Sequence, residues 1–399
     1  MKNFALVVFV ILCFSCRKED DSNPKFNYLD VEDAYGFVIG KPSSAGFDAQ
    51  KLYKINKTDN LVEIRYLNDA KSEVKINFVP LAMYDLNKTY FIITFSNISK
   101  TEYESYLIRR IDGLAQKLAK PVVVENAGGT DLNIHAIRSD NNFGNYYLNS
   151  LGNWKANLLD INIPKHNDFL KGESLGEYFT VDYLGNVISQ QKVYSINGNS
   201  KPLEWADQNY TYPLRSTINS MYYVFRKGDS VQCAKVDVST GNLTEKMLYP
   251  SFLLDSNESE FIGSHAFADF NKTVVMMASA ILQIEGTTIK KVDLIKLNLK
   301  KIYSSEFSGK YCFIFGEDPV SNKVFVRLDM KGLTPVYTQI MAPGDVEIKN
   351  FSASADDNLV FSGKRISNNK PIIGYIPFTG SNWIYDNDEL IEDLQVLVR

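Results

Sequence analysis

Histidine is the side chain that titrates near neutrality without help from its surroundings, and this chain has three: His135, His166 and His265. His135 stands before Ala136-Ile137 and His265 before Ala266-Phe267, in matching apolar stretches. In a repeated fold that match places both imidazoles at one level, facing a shared central channel. With Arg138 close by, they are candidate contacts for an anionic ligand, and a carboxylate joining them would complete a metal site. The plainer reading is two inner-strand residues whose match is incidental. The four cysteines separate by position. Cys13 lies in an apolar N-terminal run and Cys16 just after it. Cys233 and Cys312 fall on strands of different units, too far apart to bond, and read as small buried core residues. No Cys/His spacing of a metal site occurs, and there is no Gly-x-Ser-x-Gly elbow. No Lys-Ser/Thr follows Gly128-Gly129, so no phosphate cradle forms there. No catalytic residue, metal or cofactor is assigned.

Two other sets of residues invite a chemical reading. Asp85, Asp269 and Asp356 each precede an Asn and an apolar run. They resemble a set of catalytic carboxylates, but their repeated place before a strand suits caps on turns, with side-chain oxygens accepting from the backbone. Trp154, Trp205 and Trp383 lie beside or near turn residues. Exposed there, they could stack on sugar rings; packed there, they would cover blade edges.

The elements that must position these residues are short β runs. Asp85-Leu86-Asn87-Lys88-Thr89-Tyr90-Phe91 returns as Asp269-Phe270-Asn271-Lys272-Thr273-Val274-Val275 and, more weakly, as Asp356-Asp357-Asn358-Leu359-Val360. The intervals are about four and about two times a unit of ~45 residues, a period typical of propeller blades. A body of about 370 residues holds about eight such units. Each reads as an apolar strand, an alternating strand, a turn and a short outer strand. Phe78 to Met83, Ile134 to Ile137, His265 to Ala268 and Phe351 to Ala355 read as inner strands. The sixth unit is read with strands at Val274 to Met277 and Lys290 to Asn298. The first unit lacks an inner strand, and Leu394-Gln395-Val396-Leu397 is available to supply it and close the ring. The expected fold is all-β: a single propeller of four-stranded antiparallel blades, eight or, if one unit is an insertion, seven. Two tandem β sandwiches are the alternative fold.

Composition limits the partners. The chain is 45% hydrophobic and 13% aromatic with a net charge of −4, which argues against nucleic acid, whose binding calls for a basic face.

The N-terminus reads as an address. Lys2 precedes an apolar run, Phe4 to Phe14, that is too short to span a bilayer, and Phe14-Ser15-Cys16 is followed by Arg17-Lys18-Glu19-Asp20-Asp21. This resembles the lipobox of bacterial lipoproteins, with Cys13 and Phe14 where Leu and a small residue are usual. It looks like the looser box of Bacteroidota-type surface lipoproteins, and Lys18-Glu19-Asp20 resembles their export mark for the outer face of the outer membrane. A plain secretory signal with an incidental Cys16 is the alternative. The resemblance implies a signal peptide over 1–15, lipid attachment at Cys16 and a durable hold by two or three acyl chains. It also implies a flexible tether over 16–30 and a propeller over 31–399. The expected function is a surface-anchored, non-catalytic binding or scaffold protein serving glycan or nutrient capture. Its partners would be the membrane, through the lipid, and a polysaccharide or envelope protein. The competing expectation is a surface hydrolase or lyase that uses the channel-facing groups.

Overall fold

The computed structural model describes residues 26–42, 50–118 and 179–398, with short gaps mostly at turns, and four strands between 118 and 179. Eight four-stranded antiparallel sheets follow one another along the chain. Blade 1 holds Gly36–Pro42, Lys51–Asn56 and Asn60–Glu63, with Leu390–Val398 as its innermost strand. Blade 2 holds Val79–Asp85, Tyr90–Ser96, Tyr103–Arg109 and Ala115–Lys117, and blade 3 holds Gly128–Thr130, Asn133–Ile137, Phe143–Leu148 and Trp154–Asn157. Blade 4 holds Phe179–Val181, Val187–Ser189, Lys192–Tyr194 and Ser200–Pro202. Blade 5 holds Thr211–Thr217, Ser220–Lys227, Ser230–Asp237 and Thr244–Leu248, with Leu254–Asp255 pairing its third strand. Blade 6 holds Phe261–Phe267, Lys272–Met277, Ala280–Glu285 and Thr288–Val292. Blade 7 holds Lys301–Ser308, Tyr311–Glu317, Lys323–Asp329 and Val336–Met341, and blade 8 holds Val346–Ser354, Asn358–Arg365, Pro371–Pro377 and Trp383–Asp386. The fold is an eight-bladed β-propeller, as the repeat period predicts.

The core lies between blades. Side chains alternate across a strand, so each blade has two faces to bury. Lys272–Met277 is buried at every position. Val274 and Met276 pack toward blade 7 beside Ile302, Cys312 and Ile314. Val275 and Met277 pack toward blade 5 beside Tyr222, Val224 and Cys233. In blade 1, Phe37 and Ile39 face blade 2 while Val38 faces blade 8. The second strands therefore read as nearly unbroken apolar runs, while the innermost strands are only partly buried and mix apolar with polar residues. Cys233 and Cys312 are buried free thiols in two different seams, as expected of them.

Closure follows the sequence reading. The C-terminal strand pairs with the first blade strand along the chain, from Gly36↔Val398 to Pro42↔Leu390. The first and last parts of the chain thus share one sheet, which removes two sheet edges.

Three sequence expectations are corrected. Asn133–Ile137 is the second strand of its blade; the innermost is Gly128–Thr130, with Gly128 opposite His135. Glycine carries no side chain to mark a strand, so the glycine pair reads as loop. In blade 6 the stretch read as one strand, Lys290 to Asn298, is the end of the outer strand followed by a 3-10 turn at Ile295–Leu297. The Asp293 carboxylate accepts from the Ile295 amide, and Asn298 takes the left-handed conformation (φ 53°) that ends the turn. The third correction concerns the tether: residues from Phe26 onward belong to the fold. Phe26 and Leu29 are buried, and Tyr28–Leu29 pairs with Tyr66–Leu67. Leu29 donates to Gly113 O and Ala115 to Asn27 O, so this arm covers the outer edge of blade 2.

Candidate functional site

The axis is where the sequence places its candidate ligand contacts. His265 is on the innermost strand of blade 6, half-buried. Its ring stacks on Phe307 of the next inner strand, centroids 4.7 Å apart and planes at 8°, and meets Phe267 edge-on. His135 is on the second strand of blade 3, one rank out from the axis. The two histidines therefore do not occupy equivalent places. Arg138, His166, Asp269 and Asp356 lie outside the described residues. Asp85 accepts a 2.6 Å hydrogen bond from Arg110, which is itself buried over the Phe91 ring. Among the described residues no three His, Cys, Asp or Glu side chains gather to hold a metal.

A feature that the sequence does not display is the bulge near the entry of the inner strands. The register slips by one residue at Leu81, Ile262, Tyr303, Lys349 and Leu394. A bulge adds twist and re-aims a side chain, and inner strands crowded at an axis need both. In blade 7 the extra residue is Tyr303. Its hydroxyl donates to Glu317 Oε2 at 2.5 Å and receives a hydrogen bond from Lys323, whose Nζ is 3.9 Å from the ring centroid. Lys323 and Lys300 both pair with Glu317 at 3.1 Å. The hydrogen bond from Tyr303, then those from Lys323 and Lys300, hold the Glu317 carboxyl down at about 2. At neutral pH it is a firmly ionised acceptor, far from the poise a general acid or base requires.

A second group sits at the closing seam, on the opposite face of the ring. Trp383 begins the outer strand of blade 8 and stacks on Tyr375 with centroids 5.1 Å apart and planes at 21°. Tyr35, which leads into blade 1, meets Trp383 edge-on at 5.6 Å and Tyr375 at 4.8 Å. Tyr385 packs against Trp383 and donates to the main-chain oxygens of Asn56 and Lys57. The Tyr375 hydroxyl donates to Asn358 Oδ1 at 2.6 Å. Tyr35 is exposed, and Trp383 and Tyr385 are half-buried. By contrast Trp205 stacks on Phe225 against the seam between blades 4 and 5. The stacking role considered for the three tryptophans is thus open geometrically to Trp383, while Trp205 serves as packing.

No family model and no curated protein matches the chain. Among solved structures, the chain is similar to a prolyl endopeptidase at 10% identity and a TM-score of 0.40, over 90% of this chain and 50% of that one. It is similar to a putative 6-phosphogluconolactonase from Bacteroides uniformis at 8% identity and a TM-score of 0.38, over 92% and 99%. It also matches a post-proline cleaving enzyme from Rickettsia typhi at 10% identity and a TM-score of 0.37, over 90% and 53%. The chain spans about half the length of the two proline-specific enzymes.

Proposed function

We propose that this chain is a surface-exposed lipoprotein of the bacterial outer membrane, held by acylated Cys16, whose propeller binds a polysaccharide without turning it over. The observation that carries the ligand class is the group Tyr35, Tyr375, Trp383 and Tyr385, with the Tyr375 and Tyr385 hydroxyls already engaged and aromatic surface of Tyr35, Trp383 and Tyr385 left accessible. Aromatic faces presented beside a rigid strand suit the apolar face of a pyranose ring. The Tyr303–Glu317–Lys323 group supports the non-catalytic reading, because its charges are spent on one another.

The test uses the chain from Arg17 onward against a panel of soluble polysaccharides, with release of new reducing ends followed in the same wells. The expected result is binding of one polymer class without cleavage, lost in Trp383→Ala and kept in Trp205→Phe. Cleavage that depends on His265 would favour the hydrolase or lyase reading. Binding of no polymer would end the proposal.

A further inference from the structure

In each blade the turn between the second and third strands, and the crossover from the outer strand to the next inner strand, emerge on one face of the ring. Four exposed aliphatic side chains stand on that face in consecutive blades. Ile295 (79% exposed) is in the crossover into blade 7, and Val320 (77%) is at the turn between that blade's second and third strands. Met341 (55%) ends its outer strand, and Ile366 (65%) is at the corresponding turn of blade 8. Turn tips are ordinarily polar. Among the described residues, the other strongly exposed apolar side chains do not join them: Ile111 is at the turn between the third and outer strands of blade 2, and Val336 and Tyr337 begin the outer strand of blade 7, both toward the opposite face. Several acidic groups on the aliphatic face are engaged, while Glu347 and Asp229 on that face are exposed. Glu317 is bound as described, Asp318 accepts from the Val320 and Asn322 amides, and Asp345 and Asp386 pair with Arg365. Exposed lysines, Lys296 and Lys370, lie beside the tips.

The chain enters the fold on the same face. Phe26 packs against Ile76 and Phe78, which are in the crossover into blade 2, and against Phe95 near its second-to-third turn. Cys16 is ten residues away, so a lipid on it is within roughly 35 Å of Phe26 even with the chain fully extended. A tether that short, leaving from that side, brings that side toward the bilayer.

We propose that this face of the propeller docks on the lipid surface, with Ile295, Val320, Met341 and Ile366 entering the headgroup and acyl boundary. The inference rests on the lipoprotein reading for the direction of the tether. It adds an orientation: the aromatic group around Trp383, on the other face, then points away from the membrane and toward an extracellular polymer. Aliphatic tips gain by leaving water, and neighbouring lysine stems can lie along the interface with their charges in water.

The test uses the full-length chain with Ile295→Cys, Val320→Cys or Ile366→Cys, or Ile111→Cys on the opposite face. Each variant carries an environment-sensitive fluorophore and is reconstituted in phosphatidylethanolamine–phosphatidylglycerol vesicles with brominated acyl chains. Cys233 and Cys312 are buried and do not compete for label. The proposal expects strong quenching at 295, 320 and 366 and little at 111. Equal quenching on both faces, or none, overturns it, and absence of quenching would point to a protein occupant instead. Mass spectrometry of the N-terminal peptide reads acylation of Cys16 separately. Should Cys16 prove unacylated, the labelled variants in the chain from Arg17 onward are mixed with the same vesicles: face-selective quenching sustains the docking face, and its absence overturns it. In that chain Val320→Asp and Ile366→Asp should each weaken vesicle binding by roughly tenfold.

Discussion

The side-chain amide of Gln395 makes both hydrogen bonds that a neighbouring strand would make to Met83. The Met83 amide donates to Oε1 at 2.7 Å, and Nε2 donates to the Met83 oxygen at 2.5 Å. Gln395 is on the innermost strand of blade 1 and Met83 on that of blade 2, 312 positions apart in the chain. One primary amide thus links the strand that closes the ring to the next blade.

Replacing Gln395 should loosen that closure. Gln395→Ala leaves both Met83 groups without the partner they now have and should cost about 1–3 kcal/mol in urea unfolding. Gln395→Glu keeps the acceptor but, when ionised, sets a carboxylate against the Met83 oxygen. Its deficit should be larger at pH 7 and shrink toward pH 4, as a protonated carboxyl regains the donor. A Glu deficit that does not change with pH would refute the assignment.

The Asp30 carboxylate anchors the N-terminal arm. It is buried, bonded to Arg65 at 2.6 Å and 3.2 Å from Lys54, whose ammonium also donates to Glu32 O. Burial pushes its pKa up, but the hydrogen bonds and charges of Arg65 and Lys54 outweigh burial and hold it below the ordinary carboxylate range. Its contribution to stability is therefore present above the unfolded value near 3.9 and lost as pH falls through the lower native value. Asp30→Asn should cost about 1–3 kcal/mol at pH 7 and speed hydrogen exchange at the Leu29 amide, which donates to Gly113 O. The wild-type and Asn variants should converge in stability below pH 3.

Gly374 should tolerate no side chain. It lies opposite Phe361, whose ring covers it so closely that a Cβ would stand 2.1 Å from Cζ. Phe361 is fully buried in the seam between blades 7 and 8. Gly374→Ala should destabilise by about 1–3 kcal/mol through overpacking, while Gly374→Ala with Phe361→Leu should recover part of the loss. Additive losses in the pair would contradict this account.

The two buried cysteines should be inert. Burial pushes both thiols well up, so the reactive thiolate is scarce as well as shielded. In the chain from Arg17 onward, a thiol reagent should modify neither residue in the native state and both after denaturation. Fast native labelling of either would contradict its placement in a seam.

Much of the architecture is legible in the residues. The closing strand is readable because the first unit lacks an inner strand and Leu394 to Leu397 can supply one. The candidate site is far less legible. Tyr303 is the extra residue of a bulge and meets Glu317 and Lys323 across its blade, and Trp383 meets Tyr35 only because the ring closes at that seam. His135 and His265 match in sequence yet differ in rank, because a glycine strand takes the innermost place in blade 3.

The sequence by itself determined the class of fold, the repeat and the strand that closes the ring, since these rest on turn chemistry and short apolar runs that act locally. Tertiary structure alone decided which strand is innermost in blade 3, which ring covers Gly374, and which carboxylate holds which cation. A strand buried on both faces loses its alternation, and contacts between blades join residues far apart in the chain, so neither leaves a local mark for pattern reading to find.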